Sequence, residues 1–276
     1  MKKIIFIFTI FLYLMFFTNS IDRKTVSASN LTPIRINDHT DGSYISSINW
    51  SYKGKTGPMY WSKLDSTYKA CSKGMRQSPI NFDLSKVKKV KGSSLNLHIH
   101  YQPTTVNVTN TGSTIQAEPI TDYNRLVLNG HEYFLQQFHF HTPSEHTLNG
   151  QHQELELHLV HQDKSGKLAV VGVFINEGAA INTLNSIWGI LPEEKTKEAK
   201  VVNHPIHLNH LLPEDPSFFY YEGSLTTPPC TEGVQWVVFK KPIEMSKSQI
   251  QSFQEIFPYN SRPIQPINNR DIFMKK

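Results

Sequence analysis

Between residues 137 and 161 the chain alternates twice with a period of two, and that pattern leaves little choice of local structure. In Gln137-Phe138-His139-Phe140-His141 polar and aromatic residues take turns. Successive side chains on a β-strand point to opposite faces, so Gln137, His139 and His141 share one face while Phe138 and Phe140 share the other. Residues 154–161 repeat the arrangement, with Leu155, Leu157 and Leu159 on one side and Glu154, Glu156 and His158 on the other. Strand composition or alternation recurs at 95–101, 105–109, 114–117, 126–128, 133–141, 169–175 and 235–239. Helix candidates are few and short, the best being 180–190 and 246–256. These elements predict a mainly β fold (α+β by some schemes), a single domain with a large central, mostly antiparallel twisted sheet and short peripheral helices.

The first residues follow a different logic. Met1-Lys2-Lys3 is a positive start, residues 4–17 are almost continuously apolar, and Thr18-Asn19-Ser20 offers small or polar residues for cleavage, the order of a secretory signal peptide over 1–20. The apolar run is shorter than the roughly 20 residues of a spanning helix, so no membrane span is expected after processing. With no cysteine near the cleavage region, a lipid anchor is not expected either. Residues 21–48 are polar and aperiodic and read as a flexible leader to a domain over 49–276. The segment from Asn49 to Trp61, rich in glycine and aromatics, reads as an ordered loop packed on a core. The chain is exported on this reading, to a periplasm or as a secreted protein. Formal net charge is +5, falling to +3 when Lys2 and Lys3 leave with the signal. That small excess concerns solubility and excludes a nucleic-acid footprint. The densest basic stretch, Lys86 to Lys91, is interleaved with valines and reads as a solvated loop or an edge strand.

The exported part carries the chain's two cysteines, Cys71 and Cys230. In an oxidising compartment they most simply form one disulfide, worth about 4 to 5 kcal/mol on a chain-entropy model; two buried free thiols are the alternative.

Of thirteen histidines, the informative ones are those on the alternating faces. His139 and His141 present two imidazoles from adjacent same-side positions, a spacing that lets both reach one metal ion. His158 adds a third from a strand of matching pattern, and the carboxylate of Glu156 beside it serves as a partner behind the ligand or as a fourth ligand. Three neutral nitrogens with an open position describe a catalytic zinc site; cysteine pairs with finger spacing are absent from the sequence. His98 and His100 also form a His-x-His but lack a supporting carboxylate pattern, and are read as structural.

Together these segments resemble the α-carbonic anhydrases. The resemblance rests on Gln137 to His141, Ser144-Glu145-His146, Glu156 to His161 and Ser224-Leu225-Thr226-Thr227-Pro228-Pro229. Arg76-Gln77-Ser78-Pro79-Ile80 upstream and Arg262-Pro263-Ile264-Gln265-Pro266 with Asn268 and Arg270 downstream extend it, so that it runs from about Trp50 to Ile272. It implies that 49–276 is a catalytic domain for zinc-dependent, reversible hydration of carbon dioxide to bicarbonate and a proton, by attack of zinc-bound hydroxide. It further implies His139, His141 and His158 as zinc ligands, with Gln137, Glu156 and His146 behind them. Thr226 would take a hydrogen bond from the hydroxide and donate to Glu145, and Tyr52 would belong to the solvent network. The Thr226 amide and Thr227 would hold bicarbonate, while Val160, Val170, Leu225 and Trp236 would form the apolar wall for carbon dioxide. Sulfonamides and inorganic anions would inhibit; a homodimer is left open.

Aligning 110–115 on the family's Asn-Asn-Gly-His pattern places Ser113 where a proton-shuttling histidine usually sits. A hydroxyl does not titrate near pH 7, so slower, buffer-dependent turnover is expected. Cys71 and Cys230 match positions that pair in extracellular members, which would tether the Thr226 loop. Two rival readings stand beside this one. His139-x-His141-x-x-x-Glu145 resembles half of a cupin iron or manganese motif, but the glycine spacing and second half do not fit. An acatalytic binding relative would typically lose a zinc histidine, and all three are present.

Overall fold

The computed structural model describes residues 49–91 and 95–276; the signal peptide and leader expected over 1–20 and 21–48 lie outside the described residues. The strands are β1 (Asn81–Phe82), β2 (Lys88–Val90), β3 (Leu97–His100), β4 (Thr104–Asn110), β5 (Ile115–Pro119), β6 (Arg125–Leu128) and β7 (His131–His141). They continue with β8 (Thr147–Leu148), β9 (Leu155–Gln162), β10 (Leu168–Glu177), β11 (Lys200–Ile206), β12 (Phe218–Ser224), β13 (Glu232–Met245) and β14 (Phe273–Lys275). Among the described residues twelve strands form one sheet in the order β11-β4-β5-β7-β9-β10-β13-β12-β14-β2, with β6 beside β7 and β3 beside β6. Within it only β10–β13 and β14–β2 are parallel. The ribbon of β1 and β8 stands apart. No helix among the described residues is long and apolar enough to cross a membrane.

The alternation sorts side chains as the sequence dictates, onto two cores. Phe138, Phe140, Leu155, Leu157 and Leu159 enter the larger one; Val160, Val170, Phe174, Trp236 and Val238 enter a second with Phe82, Phe219 and Tyr221. Because both faces are covered, every residue of β9 from Leu155 to His161 is buried. One irregularity decides the site. In β7, Leu135 faces His161 of β9 and Gln137 faces Val160, so Gln136 is an extra residue in the pairing. A strand without this bulge would keep Tyr133, Leu135, Gln137, His139 and His141 on one face. The bulge leaves Tyr133 and Leu135 in the large core and turns Gln137, His139 and His141 to the opposite side.

Short helices lie at the periphery: α1 (Trp61–Leu64), α2 (Ala70–Lys73), α3 (Asn185–Trp188) and α4 (Lys247–Ile256). A capping box starts α4, with Ser246 Oγ accepting from the Gln249 amide and the Gln249 side chain returning to the Ser246 amide. The helix expected over 180–190 is corrected to a 3-10 turn, Asn182–Leu184, running into the single turn of α3. Ile181, at φ −86° and ψ 90°, is extended, so the turn starts only at Asn182. The Lys86–Lys91 stretch contributes the edge strand β2, where Lys88 pairs with Asp271 at 2.7 Å.

Cys71 of α2 and Cys230, just before β13, form a disulfide. It packs with Trp61 in a small cluster that takes in Trp50 and Tyr52. The rings of Trp50, Tyr52 and Trp61 meet edge to face at 5.3 to 5.9 Å, so the segment expected to be an ordered loop is held by aromatic contacts.

His161 lies on the large-core face of β9, fully buried. Its ring is nearly parallel to that of Tyr101, with Nε2 2.8 Å from the phenolic oxygen. Burial pushes its pKa down to about 3. The unfolded chain takes up a proton here near pH 6.5 and the folded chain does not, so this group's stabilisation is lost as pH falls from about 6.5 towards 3. We expect urea unfolding to show a fall of a few kcal/mol between pH 7 and pH 4, and the fall to be smaller in His161→Phe paired with Tyr101→Phe. Equal falls in the two proteins would remove His161 as the cause.

Candidate metal centre

His139 and His158 face each other directly across β7 and β9, and His141 faces Glu156. The three imidazole rings lie 4.6 to 5.3 Å apart, centroid to centroid, and one ligand nitrogen from each lies within 4.8 Å of the others. Which nitrogen each ring turns inward is set by the acceptor on its far side. His139 Nδ1 donates to Gln137 Oε1 at 2.7 Å, leaving Nε2. His141 Nδ1 donates to the Asn260 carbonyl at 2.7 Å, also leaving Nε2. His158 Nε2 donates to Glu156 Oε1 at 3.0 Å, leaving Nδ1. Burial first, then the neighbouring histidines, push the His139 pKa well below the ordinary value, and burial lowers that of His141. Their inward lone pairs are therefore free.

Glu145 is fully buried between these rings and Arg262. Its Oε1 accepts from the Arg262 amide at 2.8 Å, while Oε2 lies 3.5 Å from His141 Nε2 and 3.9 Å from His158 Nδ1. Among the described residues neither Glu145 Oε2 nor His141 Nε2 has a hydrogen-bond partner. Buried polar atoms are ordinarily satisfied, and two orphans beside converging imidazoles fit a cation. Three neutral nitrogens suit zinc. With Oε2 beside the ring nitrogens and Oε1 on the Arg262 amide, no hydrogen bond joins Glu145 to Thr226 among the described residues.

A second triad, His146, Glu156 and His158, also falls within reach of one ion, but its atoms are already bonded to one another. Glu156 Oε1 accepts from His146 Nδ1 at 2.7 Å as well as from His158, and Oε2 accepts from the His146 amide at 2.8 Å. Burial alone would raise the carboxyl pKa; His146 and His158 outweigh it and hold Glu156 well below the usual carboxylate range. His146 Nε2 continues to Tyr221 Oη at 2.6 Å, and Tyr221 to Ser78 Oγ at 2.8 Å. The triad is a hydrogen-bonded support.

The remaining expected residues gather round this point. Val160, Val170 and Trp236 stand abreast on β9, β10 and β13 with Leu225 against them, and the Trp236 ring is 4.9 Å from that of His158. Thr226 is buried and Thr227 half-buried in the loop closed by Cys230 N donating to the Thr227 carbonyl at 2.8 Å. Burial, then the Glu145 charge, push the Tyr52 phenol pKa well above its ordinary value. Ser113 is half-buried in a turn, its Oγ 3.0 Å from Thr111 Oγ1. His98 and His100 are exposed on β3, outside both clusters. The sequence reading missed Asn260, whose role falls to a backbone carbonyl and so carries no side-chain signature. Its Oδ1 and Nδ2 also bind the Thr142 amide and the Ser113 carbonyl.

Comparison with known proteins agrees with this geometry. A family model described as eukaryotic-type carbonic anhydrase matches residues 56–276. A carbonic anhydrase of Nostoc sp. is 42% identical over 225 residues, covering 81% of this chain and 84% of that protein. A carbonic anhydrase of Klebsiella pneumoniae is 42% identical over 224 residues, covering 80% and 89%. An α-carbonic anhydrase of Thermovibrio ammonificans, solved with the inhibitor sulfanilamide, superposes with a TM-score of 0.78 at 39% identity, over 82% of this chain and 99% of that one.

The disulfide reaches this site through buried side chains. The Cys71 carbonyl accepts from Arg262 Nη2 at 2.9 Å, and the Cys230 carbonyl accepts from Gln77 Nε2 at 3.1 Å. Gln77 Oε1 accepts from Arg262 Nη1 at 2.9 Å, and the Arg262 amide holds Glu145. Reduction should therefore release about 5 kcal/mol of chain-entropy stabilisation, a fall in Tm of ~10–20 °C, and speed the loss of a bound metal ion to a chelator. Metal release at the same rate in the oxidised and fully reduced proteins would count against this coupling.

Proposed function

Because the chain belongs to the eukaryotic-type, or α-class, carbonic anhydrase family, we propose that it is a zinc enzyme converting carbon dioxide and water reversibly to bicarbonate and a proton. The observation that carries the proposal is the convergence of His139 Nε2, His141 Nε2 and His158 Nδ1 on one buried point beside an apolar wall. Bound there, zinc supplies Lewis acidity that lowers the pKa of a coordinated water to about 7, a value established on carbonic anhydrase itself.

The protein's own residues do the rest. His139, His141 and His158 hold the ion; Gln137, Asn260 and Glu156 fix their tautomers from behind. Val160, Val170, Leu225 and Trp236 offer an apolar surface that suits carbon dioxide and excludes water. We assign Thr226 and Glu145 to orienting the attacking oxygen, Thr227 and the Thr226 amide to bicarbonate, and Tyr52 to the solvent within the site. The sulfanilamide bound by the Thermovibrio relative supports sulfonamide inhibition of this chain, and small anions are proposed to compete in the same way. The apolar run over 4–17 and the Cys71–Cys230 pair together support an exported enzyme, periplasmic or secreted.

Each hydration leaves one proton to be removed. Ser113 holds the position where an imidazole would relay it, and its hydroxyl stays protonated across the neutral range, so mobile buffer must take the proton. Stopped-flow hydration should then accelerate with added imidazole-type buffer at low total buffer, and Ser113→His should raise kcat and flatten that dependence. A wild-type rate indifferent to buffer concentration would sink the assignment. His158→Ala should lose zinc and reduce hydration to near the uncatalysed rate; retention of both would overturn the metal centre itself.

A further inference from the structure

Gly172 sits in the middle of β10, opposite His158 on one side and Val238 on the other. Every other residue from Ala169 to Ile175 is a buried apolar one. Glycine weakens a strand interior because it loses more backbone freedom on folding and packs nothing. Its φ lies outside the left-handed region that would require glycine, unlike that of Gly166. Space, not backbone conformation, is what singles this position out.

A Cβ on Gly172 would lie 2.9 Å from Glu156 Oε1 and 3.1 Å from Val238 Cγ2. A carboxylate at the end of a flexible side chain would ordinarily yield. Here Oε1 accepts from both His146 Nδ1 and His158 Nε2, and Oε2 accepts from the His146 amide, so three N–H donors pin it. Moving Oε1 away from an added methyl breaks at least one of them. A second glycine does the same further along: a Cβ on Gly223 would lie 2.2 Å from Ser78 Oγ and 2.7 Å from Tyr221 Cε2, the pair that continues the chain of hydrogen bonds from His146.

We infer that Gly172 is a positioning residue for the metal ligand His158: its missing side chain is the space in which Glu156 accepts the hydrogen bond of His158 Nε2–H and so turns Nδ1 towards the cation. This rests on the zinc site proposed above. Partners behind metal-bound histidines are typically worth 10–100-fold in metal affinity, and that is the loss expected of Gly172→Ala.

The test compares Gly172→Ala, Val238→Ala, Glu156→Asp and the doubles Gly172→Ala/Val238→Ala and Gly172→Ala/Glu156→Asp. Zinc affinity is measured by chelator competition, and the tautomer of His158 in the metal-free proteins by its ring ¹⁵N shifts. Gly172→Ala should bind Zn²⁺ 10–100-fold more weakly and move His158 from the Nε2–H form to a mixture. Val238→Ala should not restore either property, and Gly172→Ala should add little in the Glu156→Asp background, where the acid is one methylene shorter. An unchanged tautomer in Gly172→Ala, or full rescue by Val238→Ala, overturns the inference. Should Gly172→Ala fail to fold, Glu156→Asp against its double decides by the same two readouts: an additional loss as large as that expected of the single variant refutes it. If the wild type itself binds zinc weakly, the zinc reading fails, while the metal-free tautomer still decides the role of Gly172.

Discussion

Every nitrogen facing the metal point is defined by a hydrogen bond on the far side of its own ring. An imidazole can offer a lone pair inward only if the other nitrogen keeps its proton, and a buried N–H needs an acceptor. The acceptors differ in kind: a carboxamide for His139, a backbone carbonyl for His141 and a carboxylate for His158. Only the last is an anion, and it is shared with His146. Neutral acceptors fix a tautomer while donating less electron density through the ring than a carboxylate does. Two such acceptors leave a bound cation more of its charge with which to acidify water.

The sheet delivers those rings through register. Gln116, His139, His158 and Gly172 lie in one row across β5, β7, β9 and β10, and the next row carries Gln137, Val160, Val170 and Trp236. Ligands and apolar wall are thus adjacent rows of one rigid surface, with strand spacing setting the distance between them. The extra residue at Gln136 puts the first ligand strand on that surface, while its earlier half remains anchored in the larger core. A one-residue change in pairing would carry both imidazoles of β7 to the wrong face.

How much of this could be read beforehand follows from where the information sits. Alternation in 137–141 and 154–161 is a property of side-chain identity, so the shared faces and the histidine trio were legible. The bulge was not, because Tyr133, Leu135, Gln137 and His139 fit a single unbroken period equally well and only the pairing with β9 separates them. β12 escaped because Phe218 to Tyr221 is aromatic on both faces, with no alternation to detect. β11 and β14 contain too few buried positions to announce themselves. Asn260 reaches His141 through its backbone carbonyl, a group every residue carries. The His146–Tyr221–Ser78 connection joins residues 75 and 143 positions apart, which no spacing rule links.

Arg262 shows why the early part of the domain belongs to the site. It is 2% exposed, and burial lowers its pKa to about 10, so it remains charged at neutrality. A lysine could not replace it: the planar fork reaches the Cys71 carbonyl with one nitrogen and both Gln77 Oε1 and the Ser78 carbonyl with the other. Its guanidinium carbon lies 5.6 Å from the Trp61 ring centroid. A buried cation is tolerable only when its donors are met and an anion is near; Glu145 supplies the charge and the Cys71–Ser78 segment supplies the acceptors. The aromatic cluster and the disulfide hold that segment in place. Their contribution therefore passes through Arg262 to the carboxylate beside the ligand nitrogens, and residues 50–78 are part of the support of the metal centre.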